Sequence, residues 1–203
     1  MERSTLISTF YSVEPQMAAI KELNPSRLIL VKHESKKGSE PEKEQKENEE
    51  LLRKTVGVVT EIEVVTVPDP YDVFEVAKAT VKLIEKEHGK GHSVYLNITG
   101  GRRTQGLGVL FAGYARRDML RRIVYATEEE NKLIDLPVLS FGITKTKRAL
   151  LEELAREPEN MSELAKKLGK TRGMIYQHLN DLKSRGFIDE SYKLTVAGRL
   201  ALL

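Results

Sequence analysis

Short apolar runs alternate with helix-periodic segments along residues 1–137, and this alternation limits the fold more than any other feature. A strand-type run at Leu6–Thr9, a helical segment that reaches about Leu23 and a second run at Arg27–Lys32 follow one another. The second run is almost continuously apolar, which is typical of a strand covered on both faces. Strand, helix and strand in this order predict a parallel sheet with helical crossovers.

Further strands are predicted from runs of the same kind. They lie at Glu61–Val67, Val94–Leu96 and Ile123–Ala126, with a sixth at Leu133–Pro137. Between them, Tyr71–His88 carries apolar residues at helical spacing. Residues 1–137 therefore predict an α/β domain with a mainly parallel sheet and helices on both faces.

The fourth strand runs directly into the segment Asn97–Arg103, and a further helix is predicted after it. A strand that ends in a glycine turn and enters a helix exposes backbone N–H groups, where the helix dipole adds partial positive charge. Gly100 and Gly101 let a ligand approach the backbone, and the guanidinium groups of Arg102 and Arg103 suit bidentate phosphate contacts. The segment predicts an anion site of the kind that binds a phosphodiester. The alternative is a corner whose glycines serve packing and whose arginines are solvated.

Several classes of site are excluded. The segment lacks the P-loop pattern and its glycines do not fit G-x-G-x-x-G. With no cysteine, the chain has no disulfides or thiolate metal ligands, and we predict no metal or cofactor. The charge-rich stretch 33–54 predicts an exposed loop and a solvated helix at Glu42–Thr55, with no chemistry assigned. Because no apolar run approaches the ~20 residues of a membrane helix and no signal-peptide pattern is seen, we expect a cytoplasmic protein without membrane contact.

The carboxyl ends of the parallel strands are the expected place for a ligand. Hydroxyls and aromatic rings after the first strand would face glycines and arginines after the fourth, which suits a nucleotide-like ligand. For Thr9 and Phe10, ordinary strand-end residues are the alternative. The predicted ligand-binding residues are Ser8, Thr9, Phe10, Tyr11, Asn97, Thr99, Gly100, Gly101, Arg102 and Arg103.

After Pro137 the alternation of strand and helix patterns gives way to mainly helical patterns. Residues 144–203 therefore predict a second domain, joined to the first by a linker at 138–143. Two helices, a turn at Gly169, a third helix capped by Thr171, a two-stranded ribbon at Gly186–Leu194 and a last helix are expected. This is the order of a winged helix-turn-helix, and it resembles the DNA-binding domains of many prokaryotic transcription regulators. Residues 144–203 hold 12 basic and 8 acidic residues, against 21 and 22 in the rest of the chain.

The third helix of this domain is expected to enter the major groove of double-stranded DNA, with Ile175, Leu179 and Leu182 on its buried face. A winged helix used only for protein contact is the alternative, and His178 is expected to be structural. The predicted DNA-binding residues are Lys170, Thr171, Arg172, Gly173, Tyr176, Gln177, Asn180, Lys183 and Lys193.

Together the two halves resemble CRISPR-associated regulators with an N-terminal CARF (CRISPR-associated Rossmann fold) domain. The resemblance is carried by Asn97–Arg103, by Ser8–Phe10 and by the winged helix at 144–203. It implies a homodimer that binds cyclic oligoadenylate, here expected to be cyclic tetra-adenylate, in a two-fold pocket. It also implies that this ligand adjusts binding to promoter or leader DNA of CRISPR-cas loci. The chain departs from the family at Asn97, where relatives often have Asp.

Two alternatives stay open. Some CARF proteins slowly cleave the cyclic ligand; here Arg102 and Arg103 could stabilise the transition state while Ser8 or Thr9 positions the phosphate. No general base or nuclease motif is recognisable, so no catalytic residue is predicted and we expect a protein that is not an enzyme. The other alternative is a constitutive DNA-binding dimer whose α/β domain only dimerises.

Overall fold

The structure, a computed structural model, describes residues 3–35, 37–156 and 161–203. The chain forms two compact units, one running through Ser140 and the other spanning Phe141–Leu203. The division falls within the stretch 138–143 that the sequence predicts as a linker. In the described parts of the chain, no helix has both the length and the apolar character needed to cross a membrane.

The first unit alternates strands and helices, and each strand predicted from the sequence is present. In chain order its elements are β1 (Ser4–Thr9), α1 (Glu14–Leu23), β2 (Arg27–His33), α2 (Glu40–Val56), β3 (Glu61–Val67), α3 (Val73–Gly89), β4 (Ser93–Asn97), α4 (Arg103–Ala115), β5 (Leu120–Ala126) and β6 (Leu133–Leu136). A short 3-10 turn at Arg117–Met119 separates α4 from β5.

The six strands form one sheet in the order β3-β2-β1-β4-β5-β6. Strands β1 to β5 pair in parallel, and β6 pairs antiparallel with β5. The predicted mainly parallel, Rossmann-like sheet is therefore confirmed. The chain moves outward from β1 to β3 and then crosses to the other side of β1 to form β4. This reversal makes the carboxyl ends of β1 and β4 the crevice where such sheets bind ligands.

Helices cover both faces of the sheet. On one face, Ile20 of α1 and Leu52 of α2 join Leu28 and Leu30 of β2 in one apolar cluster. On the other, α4 lies so close that a Cβ on Gly113 would be 2.9 Å from the side chain of Leu96. Coverage on both faces explains why the central strands are apolar at nearly every position.

The second unit contains α5 (Lys145–Leu154), α6 (Met161–Lys167), α7 (Arg172–Ser184) and α8 (Val196–Leu202). Its core includes the three residues predicted to be the buried face of the third helix, Ile175, Leu179 and Leu182. The oxygen Oγ1 of Thr171 accepts a hydrogen bond from the N–H of Met174 at 3.3 Å, which confirms the predicted cap.

The predicted two-stranded ribbon is shorter than expected. Instead of two strands within Gly186–Leu194, the structure has one antiparallel bridge, between Ile188 and Leu194. The Asp189 carboxylate accepts hydrogen bonds from the N–H groups of Ser191 at 2.8 Å and Lys193 at 2.9 Å. These bonds curl the segment into a tight turn, so few residues remain to extend a ladder.

Candidate functional site

The turn after β4 rests directly on the backbone that follows β1. A Cβ on Gly100 would lie 2.4 Å from the carbonyl oxygen of Thr9, and Nε2 of the buried Gln16 donates a hydrogen bond to the same oxygen at 3.0 Å. Gly101 has a φ of +73°, a conformation that residues with a Cβ rarely adopt. The packing alternative is therefore correct for Gly100, whereas Gly101 shapes the entry into α4.

The side chain of Asn97 holds this turn in place by hydrogen bonds. Its side chain is fully buried, and its Oδ1 accepts hydrogen bonds from the N–H of Thr99 at 3.1 Å and from the Thr99 hydroxyl at 2.6 Å. Its Nδ2 donates to the carbonyl of Pro15 at 3.3 Å, and Oγ1 of Thr99 accepts from the N–H of Ala126 at 2.7 Å. Both residues were predicted to bind ligand, but in this structure their polar atoms tie β4 to α1 and β5.

The side chains of Ser8, Thr9 and Phe10, which are predicted to bind ligand, have no exposed surface in this structure. The Phe10 ring belongs to the core cluster of Leu6 and Leu28 and cannot stack on a base there. The hydroxyl of Ser8 donates to the carbonyl of Thr9 at 3.2 Å. The hydroxyl of Thr9 donates to the carbonyl of Asn97 at 3.5 Å.

Helix α2 packs on the loop that follows β1, and its Leu52 joins Phe10 in one core cluster. Nε2 of Gln45 donates to the carbonyl of Phe10 at 3.3 Å, and Nδ2 of Asn48 donates to the carbonyl of Tyr11 at 3.0 Å. The side chain of Tyr11 is partly exposed, and its hydroxyl donates to Glu44 at 2.5 Å. This hydrogen bond, with burial and the charge of Glu44, raises the pKa of Tyr11.

The anion-binding features that remain exposed are the arginines and the helix they begin. Arg102 and Arg103 are both exposed, and the side chain of Arg102, the N-cap residue of α4, makes no capping hydrogen bond within the described residues. The first N–H groups of a helix lack partners within it and carry partial positive charge. Arg102 lies over the ring of Tyr71, 5.7 Å from its centroid. The site can therefore bind an anion at the carboxyl end of β4, through Gly101, Arg102 and Arg103.

Sequence reasoning missed two residues at this edge of the sheet, Tyr71 and His33. His33 ends β2, is 6% exposed, and its Nδ1 has no hydrogen-bond partner in the described part of the chain. Burial lowers the pKa of His33, and the charge of Arg102 lowers it further. A polar residue directly after an apolar strand was the available signal, because the carboxyl ends of β1, β2 and β4 lie at one edge.

The second surface lies on α7 and its flanks, where most of the predicted DNA-binding residues are exposed. The residues exposed there are Lys170, Thr171, Arg172, Gly173, Tyr176, Gln177, Asn180 and Lys193. Met174, which was not predicted, is 42% exposed on the same helix and offers an apolar contact for a thymine methyl group.

Lys183, which is predicted to contact the DNA backbone, has partners within its own domain. Its ammonium group forms an ion pair with Glu190 and lies 5.8 Å from the centroid of the Tyr192 ring. Both partners belong to the wing, so Lys183 fastens the wing to the end of α7. The hydroxyl of Thr171 is likewise engaged, as the cap of α7.

These observations define a class of protein, in which a Rossmann-like domain is followed by a helix-turn-helix domain. Residues 6–131 match the family described as HFX_2341_N-like, N-terminal, and the chain belongs to this family. Residues 144–190 match the helix-turn-helix family described as bacterial regulatory protein, arsR family. No match was found among curated proteins.

Solved structures with the same fold have very different sequences. Csm6 from Enterococcus italicus, solved with cyclic hexa-2′-fluoro-hexa-dAMP bound, has a TM-score of 0.57 at 14% identity and matches 92% of this chain. Protein VC1899 from Vibrio cholerae has a TM-score of 0.51 at 12% identity and matches 98% of this chain. The chain spans 57% of the Csm6 chain and 64% of the VC1899 chain.

Proposed function

We propose that this protein is a ligand-responsive transcriptional regulator of CRISPR-cas loci that senses cyclic oligoadenylate, in particular cyclic tetra-adenylate. One observation carries the proposal. A single chain combines an uncapped, arginine-flanked helix N terminus at the switch point of a CARF sheet with an ArsR-type helix-turn-helix. The first feature suits a phosphodiester, and the second suits promoter or leader DNA. The cyclic oligonucleotide bound to Csm6, which shares the fold, supports this ligand class.

A homodimer is part of the proposal, and α4 offers the surface for it. Leu107 is 45% exposed, and Leu110, Phe111 and Tyr114 are partly exposed on the same side of the helix. The opposite side packs on the sheet, so α4 is apolar around most of its circumference, as is typical of a helix covered on all sides. A second copy packed against this face would bury it, and two-fold symmetry would bring two arginine pairs to one cyclic ligand.

Regulation requires the ligand to prefer one arrangement of the dimer. A ligand that bound both arrangements equally would leave the affinity for DNA unchanged. By reciprocity, the factor by which the ligand changes affinity for DNA equals the factor by which DNA changes affinity for the ligand.

The test measures DNA binding and ligand binding on the full chain. Fluorescence anisotropy with a labelled promoter fragment is recorded with cyclic tetra-adenylate, cyclic hexa-adenylate or linear tetra-adenylate, and calorimetry measures the affinity for each ligand. We expect tight binding of one cyclic form, and a shift in DNA affinity with that form only. Intact DNA binding without binding of any cyclic oligoadenylate would remove the sensor and leave the constitutive dimer.

We propose no enzymatic activity. The cleavage alternative relied on the hydroxyl of Ser8 or Thr9 to position a phosphate, and both side chains are buried. Incubation of labelled cyclic tetra-adenylate with the protein checks this point, and release of linear product would contradict the proposal.

A further inference from the structure

Helix α7 carries a row of exposed residues directly opposite its buried face. The buried positions are Ile175, Leu179 and Leu182. The same spacing, two positions earlier, gives an outer row of exposed residues, Gly173, Gln177 and Asn180. With 3.6 residues in each turn of an α-helix, a shift of two residues turns the outer row about 200° from the core. The outer row is therefore the part of α7 that enters a groove deepest.

The glycine of the outer row has no structural reason within the described residues. Gly173 does not have a positive φ, and a Cβ built on it meets nothing within 4 Å. By contrast, a Cβ on Gly198 of α8 would collide with the carbonyl of Phe187. Because alanine forms helices better than glycine, the fold gains nothing from Gly173. A missing side chain at an exposed position of this kind suits close approach of another molecule to the backbone.

The other two residues of the outer row end in carboxamides. Gln177 and Asn180 are exposed, and neither side chain forms a hydrogen bond or an ion pair within the described residues. A carboxamide can accept a hydrogen bond from N6 of adenine and donate one to N7 in the major groove, whereas Arg and Lys favour guanine. The outer row has no charged residue, so its chemistry favours adenine.

Met174 extends this match to the second base of the pair. It is 42% exposed and precedes Gln177 by three residues, which makes the two side chains neighbours on the helix surface. An apolar side chain there suits the methyl group of thymine, which lies in the same groove as the adenine edge. Gln177 and Asn180 are about 4.5 Å apart along the helix axis, close to the ~3.4 Å between base pairs. They therefore suit neighbouring pairs.

We propose that the outer row reads adenine at two neighbouring A·T pairs in the major groove. Gln177 binds one adenine and Asn180 the next, Met174 contacts a thymine methyl group, and the α7 backbone comes nearest to the DNA at Gly173. The inference rests on the DNA-binding part of the proposed function and adds to it the base pairs that the bound site must contain.

The experiment uses the full wild-type chain to select from DNA duplexes with a randomised central segment. We expect neighbouring A·T pairs in the selected site, and replacement of either pair by G·C should weaken binding by about fivefold to a hundredfold. Gln177→Ala should abolish the preference at one pair and Asn180→Ala at its neighbour, with affinity for the G·C-substituted duplex unchanged. Asn131→Gly, which removes an exposed carboxamide between β5 and β6, should keep both preferences.

Gly173→Ala tests the close approach through two effects of opposite sign. Urea titration should show a variant at least as stable as the wild type, because alanine favours the helix. Binding to the selected site should weaken about tenfold, since a methyl group overpacks the contact with DNA. Gly89→Ala, at the end of α3, should leave DNA binding unchanged. Unchanged binding in Gly173→Ala, or weaker binding that accompanies lower stability, would overturn the close approach.

Base readout and DNA binding fail in different ways. A selected site without neighbouring A·T pairs would overturn the readout while DNA binding stands. So would Gln177→Ala and Asn180→Ala variants that keep the wild-type preference or bind every duplex equally more weakly. Recovery of no duplex by the wild-type chain would overturn the DNA-binding function itself, and the inference with it.

Discussion

The buried carboxylate of Glu87 lies 3.4 Å from Nε of Arg27, at the edge of the sheet opposite the ligand site. It also accepts hydrogen bonds from the Lys90 ammonium at 2.6 Å and the Thr5 hydroxyl at 3.1 Å. Burial would raise the pKa of Glu87, but these two bonds and the charge of Arg27 outweigh it and lower the pKa below its usual value. The cluster joins α3 to β1 and β2.

Acid should therefore destabilise the protein through Glu87. A carboxylate whose pKa is lower in the folded state contributes stability above its unfolded pKa of about 4.3, and this stability is lost as the pH falls through the folded pKa. Glu87→Gln should lower the free energy of unfolding at pH 7 by about 1.5 kcal/mol, because the neutral amide loses the charge-assisted bond to Lys90 while Arg27 keeps Glu61 and Glu63. Urea titrations between pH 3 and 7 measure this, with the exposed Glu47→Gln as control. Equal stability of both variants at pH 7 would contradict it.

Gly100→Ala should disturb the ligand site from within. The new methyl group would meet the Thr9 carbonyl at 2.4 Å, and such overpacking costs about 1–3 kcal/mol. We expect reduced stability in urea and weaker binding of cyclic oligoadenylate. In Gly89→Ala a Cβ meets nothing within 4 Å, so this variant should be as stable as the wild type or more so. Similar losses in both variants would refute the packing argument.

Arg102→Ala should weaken binding of cyclic oligoadenylate by about ten- to a hundredfold, the effect of losing a charge-assisted hydrogen bond. Affinity for DNA without ligand should stay unchanged. Arg117→Ala is the matched control, since Arg117 is an exposed arginine paired with Asp118 in the turn after α4. Calorimetry measures the affinity of both variants for cyclic oligoadenylate. Equal affinities would show that Arg102 is not part of the ligand site.

Substitutions at two lysines near α7 should differ in their effect on the salt dependence of DNA binding. Lys170 is exposed before the helix, whereas Lys183 is paired with Glu190. Lys170→Ala should lower the slope of log affinity for DNA against log salt concentration by about 0.9, as expected for one lost phosphate contact. Lys183→Ala should leave that slope unchanged. A lower slope in Lys183→Ala would restore the role first predicted for this residue.

Leu107→Glu should dissociate the proposed dimer. A charge on the exposed apolar face of α4 should raise the dimer dissociation constant by about thirtyfold or more, the range of an interface hot spot. Leu51→Glu introduces the same charge at a 52% exposed leucine on α2 and should leave the dimer intact. Analytical ultracentrifugation of both variants measures whether each is a dimer. A dimeric Leu107→Glu variant would show that the two copies meet at another surface.

Periodicity was sufficient to predict the strands, the sheet and the helix-turn-helix, because these depend on local spacing of apolar residues. It was insufficient to predict that Phe10 is buried, because a residue that follows a strand is exposed or buried according to which distant helix covers it. Here the covering helix is α2, a charge-rich helix to which the sequence analysis assigned no chemistry. Its Gln45 and Asn48 donate hydrogen bonds to the loop that follows β1. The surroundings of His33 come from three loops that are far apart in sequence, which contribute His33, Tyr71 and Arg102, so a local pattern marks His33 as a strand end but does not show what it meets.

The contact of Gly100 with Thr9 has a mechanical consequence. With no side chain between the two backbones, and with Gln16 bonded to the same carbonyl, no soft layer can absorb a displacement. The turn that carries the arginines is therefore coupled to the end of β1 by direct backbone contact and, through Gln16, to α1.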